Sequence, residues 1–276
     1  MKRIITVFVL LVLTCMSANA KSDQAQIRDV LKSHQIAVKN NDIEKIKSFY
    51  DKNYTCSDGF KLDELLSLYQ KSYESYSDIK YKTKINSINV YGNWAIVRMS
   101  DDTKAMIYTD SKKQDKKTAG VLDGKSIYSM YMIKSDGDWK ILYEDITMEE
   151  TVLKYGIAKK LKMELVSPPF IENGEEYNLA LNIDKPQNII ALASLNNEEV
   201  KFPTPDINEK YRKIPSEGDL QRIVRANTNN LDEYAIASVG LTRVLLNEDE
   251  TRARIEIVGV AYIMKRIGML PKKAVL

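Results

Sequence analysis

The chain has 276 residues, with 41 Lys and Arg against 38 Asp and Glu, one His, two Cys and 16 Tyr. A chain of this length buries one or two substantial cores. Its near-balanced charge lacks the clustered basic excess of a nucleic-acid binder, and one His with two Cys is too small a set for ordinary zinc ligation, so neither a metal nor a cofactor is expected.

Lys2 and Arg3 precede an apolar run from Ile4 to Leu13, and Ala18-Asn19-Ala20 follows with small residues where a signal peptidase inspects them. These are the parts of a secretory signal in order, so residues 1–20 are expected to be removed and the mature protein to be periplasmic or secreted. The run is shorter than the roughly 20 residues that cross a bilayer, and no transmembrane segment is expected after cleavage. Acylation at Cys15 is the minor alternative, because Thr14 is a poor neighbour for a lipoprotein cleavage box. Without Lys2 and Arg3 the count is 39 basic to 38 acidic, and Cys56 is left unpaired. The abundance of Lys, Asn, Asp and Ile suits a bacterial source.

Ile27, Val30, Leu31, His34 and Val38 fall on one helical stripe. Asn41 with Glu44 reads as a capping box for a second helix carrying Ile43, Ile46, Phe49 and Tyr50. Thr55 to Gly59 reads as a turn, and Leu62, Leu65, Leu66, Tyr69 and Tyr73 mark a third helix. From Asp78 the period becomes two. Ile79, Tyr81, Thr83 and Ile85 alternate, then Ile88 and Val90 resume in the opposite phase, which predicts a β-bulge. Gly92-Asn93 and Asp136-Gly137 are turns between long strands, and Lys112 to Lys117 is a basic loop tip.

Three helices, a bent antiparallel sheet and the stretch Ser135-Asp136-Gly137-Asp138-Trp139-Lys140-Ile141 resemble the nuclear transport factor 2-like superfamily, which includes ketosteroid-isomerase-like and SnoaL-like domains. The resemblance spans roughly residues 23–155. It implies a cone-shaped α+β fold with an apolar pocket, and a carboxylate, Tyr or His in that pocket where such a fold does chemistry.

Met148 to Lys162 reads as a helix or linker, and Pro168-Pro169 as a break. Beyond it, strands are predicted at Glu176 to Ile183, Ile189 to Leu195, Tyr234 to Leu246 and Arg252 to Met264. Asn173-Gly174, Asn196-Asn197 and Asn247 to Glu250 are the turns. Ser216 and Asp219 frame a single helix whose apolar face is Leu220, Ile223 and Val224. The expected architecture is α+β, with a signal peptide at 1–20, a cone at 21–158 and a mainly β, sandwich-like domain at 159–276 that resembles no named family.

Twelve of the tyrosines lie between Tyr50 and Tyr155. Tyr50, Tyr54, Tyr69, Tyr73, Tyr131 and Asp145 are the candidate ligand-binding residues, since phenols offer apolar surface plus one hydroxyl each. Asp145 shares strand parity with Trp139, Ile141 and Tyr143, and Glu144 with Leu142 and Ile146, while the concave face is open at this point. Adjacent acids ordinarily mark a strand edge in solvent, Asp101-Asp102 a solvated turn, and His34 a satisfied buried histidine. Arg222, Arg225, Arg243, Arg252 and Arg254 read as ion-pair partners in the second half. The resulting reading is an exported, non-catalytic protein that binds a small apolar ligand, an envelope partner or a second copy. The alternatives are an isomerase, dehydratase or hydrolase using the pocket, and an interaction protein with a closed cone.

Overall fold

The computed structural model describes residues 21–108, 119–202, 209–215, 218–246 and 253–271. The signal segment with Cys15, the 112–117 basic loop, Ser216, the 247–250 turn and Arg252 lie outside them. No helix among the described residues is long and apolar enough to cross a membrane.

Among the described residues, helices α1 (Asp23–Lys39), α2 (Ile43–Lys47) and α3 (Leu62–Ser75) all precede the antiparallel strands. The α1 stripe buries Ile27, Leu31, His34 and Val38 as the spacing predicts, and Ser22 caps it by accepting from the Ala25 amide. Helix α2 is shorter than expected. Asp42 rather than Asn41 caps it, accepting from the Lys45 amide at 3.0 Å, and it ends before Phe49. Tyr50 instead opens strand β1 (Tyr50–Cys56), which lies parallel to β5 (Asp138–Gly156).

Strands β2 (Ser77–Tyr91), β3 (Trp94–Ile107), β4 (Gly120–Ser135) and β5 form an antiparallel meander. The predicted bulge is present between Ile85 and Ser87. Asp101 and Asp102 do not form a turn; both sit inside β3. Nor does β5 give way to a helix at Met148. It runs for 19 residues, and only Ile157–Lys160 is a short 3-10 turn. The charged, half-buried pattern of Met148 to Lys154 suits either period, and pairing to β4 on one side and β13 on the other decides for strand.

The second half adds β6 (Met163–Val166), β7 (Phe170–Glu172), β8 (Glu176–Ile183), β9 (Ile190–Glu199), β10 (Arg212–Lys213), β11 (Asp219–Arg225), β12 (Glu233–Leu246) and β13 (Ala253–Leu270). Leu220, Ile223 and Val224 belong to a strand, not a helix: β11 pairs residue for residue with β8, leaving Val224 buried and Ile223 exposed. Asn196 and Asn197 lie within β9 rather than in a turn. The order β10-β9-β12-β13-β5-β4-β3-β2 makes one sheet of both halves, joined through β5, and a second sheet, β11-β8-β6, stands apart from it. Two apolar cores result. One packs α1 to α3 against β2 to β5, and the other packs Leu179 and Leu181 of the small sheet against Ala191, Val239 and Ile263 of the large one.

Candidate functional site

A cavity of about 660 Å³ opens between α1, α3 and the inner face of the sheet. Leu31, Met99, Met130 and Ile146 give it apolar walls, and His34, Tyr69, Asp101, Tyr128, Glu144 and Glu149 supply polar groups. This volume lies in the range of roughly 300–1,000 Å³ that holds small molecules. Lys32, Lys39 and Lys80 are exposed at its rim.

The polar groups come in pairs, each with a tyrosine. Tyr54 donates to Glu144 Oε2 at 2.7 Å, Tyr128 to Asp101 Oδ2 at 2.8 Å, and Tyr234 of β12 to Glu149 Oε2 at 2.7 Å. The Tyr50 hydroxyl and His34 Nε2 lie 3.2 Å apart. Burial pushes the Glu144 carboxyl up from 4.5 to about 7. The Tyr54 hydrogen bond opposes that rise, and the charge of Asp101 adds to it. Burial likewise raises Asp101, against the nearby Thr83 and Tyr128 hydroxyls, and no partner reaches hydrogen-bond geometry at Asp101 Oδ1. It lowers His34 from 6.5 to about 4, so the ring is neutral at pH 7.

Of the sequence candidates, Tyr69 lines the cavity. Tyr50 and Tyr54 stand behind its wall, rings edge to face at 4.8 Å, and act through His34 and Glu144. Both are buried positions of β1. Tyr73 stacks on Tyr69 and donates to the Val38 carbonyl. Tyr131 packs against Tyr143, away from the cavity lining.

Glu144 takes the place expected of Asp145. The register of β5 against β4 slips between Ile141 and Tyr143, placing an extra residue at Leu142, and slips again at Thr147. Each bulge reverses the inward phase, so Trp139 and Ile141 face the core, then Glu144 and Ile146 face inward, then Glu149. Parity counted straight through the strand selects the wrong neighbour. Asp101 and Glu149 were equally hidden, because strand assignment for their segments comes from pairing partners. Cys56 is buried and free, with its thiol pushed up by burial, which leaves it inert as a nucleophile. Among the described residues no cluster of three or more His, Cys, Asp or Glu could hold a metal.

No family model matches the chain, and no curated protein matches it. Solved structures similar to part of it include an NTF2-like protein from Cytophaga hutchinsonii, 16% identical, covering 46% of this chain and 98% of that one, with a TM-score of 0.36. A conserved protein from Planctomyces limnophilus is 16% identical over 45% of this chain and 93% of its own, with a TM-score of 0.38. A hexachlorocyclohexane dehydrochlorinase from Novosphingobium barchaimii is 15% identical over 45% and 84%, with a TM-score of 0.33. Each covers less than half of this chain.

Proposed function

We propose that this protein binds a small, largely apolar molecule in the cavity of its first half, outside the cytoplasm, and that Glu144 exchanges a proton with the bound molecule. The observation that carries the reading is a carboxylate poised to about 7, facing a cavity of about 660 Å³, with a tyrosine as its partner. A group whose proton affinity sits near the ambient pH both gives and takes a proton readily. The open cavity weighs against an interaction protein with a filled cone, and the secretory pattern of residues 1–20 supports the location. A general acid–base enzyme is the second reading. It is favoured by His34 and two carboxylates each meeting a tyrosine around one cavity.

Titration of the mature chain with the neutral apolar fluorophore Nile red tests the binding reading. The wild type should take up one equivalent. Met99→Trp and Met130→Trp, which fill the cavity from two different strands, should each weaken uptake at least about tenfold. Undiminished uptake in both folded variants places the dye elsewhere and sinks the proposal. Turnover by wild type and not by Glu144→Gln, on whatever molecule co-purifies with the protein from its native source, separates enzyme from binder.

A further inference from the structure

We infer that the molecule this cavity takes is an organic cation, an ammonium group on an apolar body, held between Asp101 and Glu144; this rests on the cavity being the binding site. Both carboxylates line it, yet neither has a Lys or Arg partner among the described ion pairs. Glu144 accepts from the Tyr54 hydroxyl and Asp101 from that of Tyr128, with the Thr83 hydroxyl nearby, and no partner reaches hydrogen-bond geometry at the buried Asp101 Oδ1. A protein surface ordinarily compensates a buried carboxylate with a cation or several donors. Elsewhere this chain does both. Asp58 and Asp232 share Arg266, and Glu233 accepts from Tyr177, Asn197 and Asn227. Asp101 and Glu144 are exceptions among the described residues, and what they lack is a positive charge.

The rest of the lining agrees. Tyr69, Tyr81 and Tyr128 present aromatic rings to the same space, and an ammonium over a phenol face is attracted by about 0.5–2 kcal/mol. His34 is neutral at pH 7 and so does not oppose a cation. Glu149 adds a weaker pull, because Arg266 lies near enough to offset part of its charge. Leu31, Met99, Met130 and Ile146 accommodate an apolar body. A metal ion is disfavoured because no three His, Cys, Asp or Glu among the described residues are placed to hold one, and an anion because it meets two like charges in a medium of low dielectric. Lys32, Lys39 and Lys80 are exposed at the rim, where water and salt screen them.

The test is a calorimetric comparison of three probes of similar size and shape, 4-phenylbutylamine, 4-phenylbutanol and 4-phenylbutyrate, on the mature chain at pH 7. The amine should bind at least about tenfold tighter than the alcohol, and the acid weakest of the three. Amine binding should also release a fraction of a proton, read from buffers of different ionisation enthalpy, as Glu144 becomes fully ionised. In Asp101→Asn/Glu144→Gln the amine-to-alcohol ratio should fall to about one. An alcohol that binds as tightly as the amine overturns the inference and leaves the cavity reading intact, and so does an amine that fails to bind while Nile red is taken up. Failure of every probe, Nile red included, overturns both. The wild-type comparison decides the matter alone if the double variant does not fold.

Discussion

Glu144 and His34 place opposite demands on the folded state. Folded Glu144 keeps its proton up to about pH 7, whereas the unfolded chain loses it near 4.5. Its contribution is therefore complete below 4.5 and is lost as pH rises toward 7. Folded His34 stays neutral down to about pH 4, whereas the unfolded ring protonates near 6.5. Its contribution is complete above 6.5 and is lost as pH falls toward 4. Between pH 4.5 and 6.5 the two slopes oppose, each up to about 1.4 kcal/mol per pH unit. Urea denaturation should expose them one at a time. Relative to wild type, Glu144→Gln should gain on the order of 2–3 kcal/mol between pH 4.5 and 7.5, and His34→Gln a similar amount between pH 7 and 4. Variants that track the wild type at every pH contradict this account. Tyr54→Phe should push Glu144 further up, because it removes the hydroxyl that steadies the charged form.

At the scale of elements, the site depends on where strands bend. Strand β5 carries Glu144, Ile146 and Glu149 inward only because residues 142 and 147 are extra in its register with β4. It ends at Gly156, whose backbone (φ 56°, ψ −136°) is nearly forbidden to other residues, and a Cβ there would collide with the Val258 carbonyl oxygen. Gly156→Ala should therefore cost at least about 2 kcal/mol, measured as a lower urea midpoint. A neutral substitution would mean that β5 and β13 separate easily at this point. The helical spacing of Leu220, Ile223 and Val224 misleads for a related reason. Seven cross-strand partners on β8 outweigh a local period, and the Ile-Val pair suits a strand equally well.

For the whole molecule, the joint between the two halves is polar and buried. Arg266 of β13 holds Asp58, in the turn after β1, through bonds of 2.8 and 3.2 Å, and Asp232 at 2.8 Å, with its side chain 2% exposed. Tyr234, from the second half, positions Glu149 in the cavity wall of the first. Arg266→Met strands Asp58 as an unpaired buried charge and should cost about 3–5 kcal/mol. Adding Asp58→Leu should return much of that loss. A double variant no better than the single one would show that the arginine acts through packing alone.

How much of this was legible beforehand follows from the range of each interaction. Helices α1 and α3, the bulge after Ile85, the Asp136-Gly137 turn and the tyrosine-rich first half are written in local period and turn chemistry, which need no partner to be read. Tertiary structure alone decided that Tyr50 begins a strand, that β5 runs on to join both halves, that β11 is not a helix, and that Glu144 rather than Asp145 meets the cavity. The physical reason is common to all four: strand pairing, and the bulges that shift it by one residue, are fixed by residues far away in the chain. The side chain facing inward is therefore chosen by the neighbouring strand.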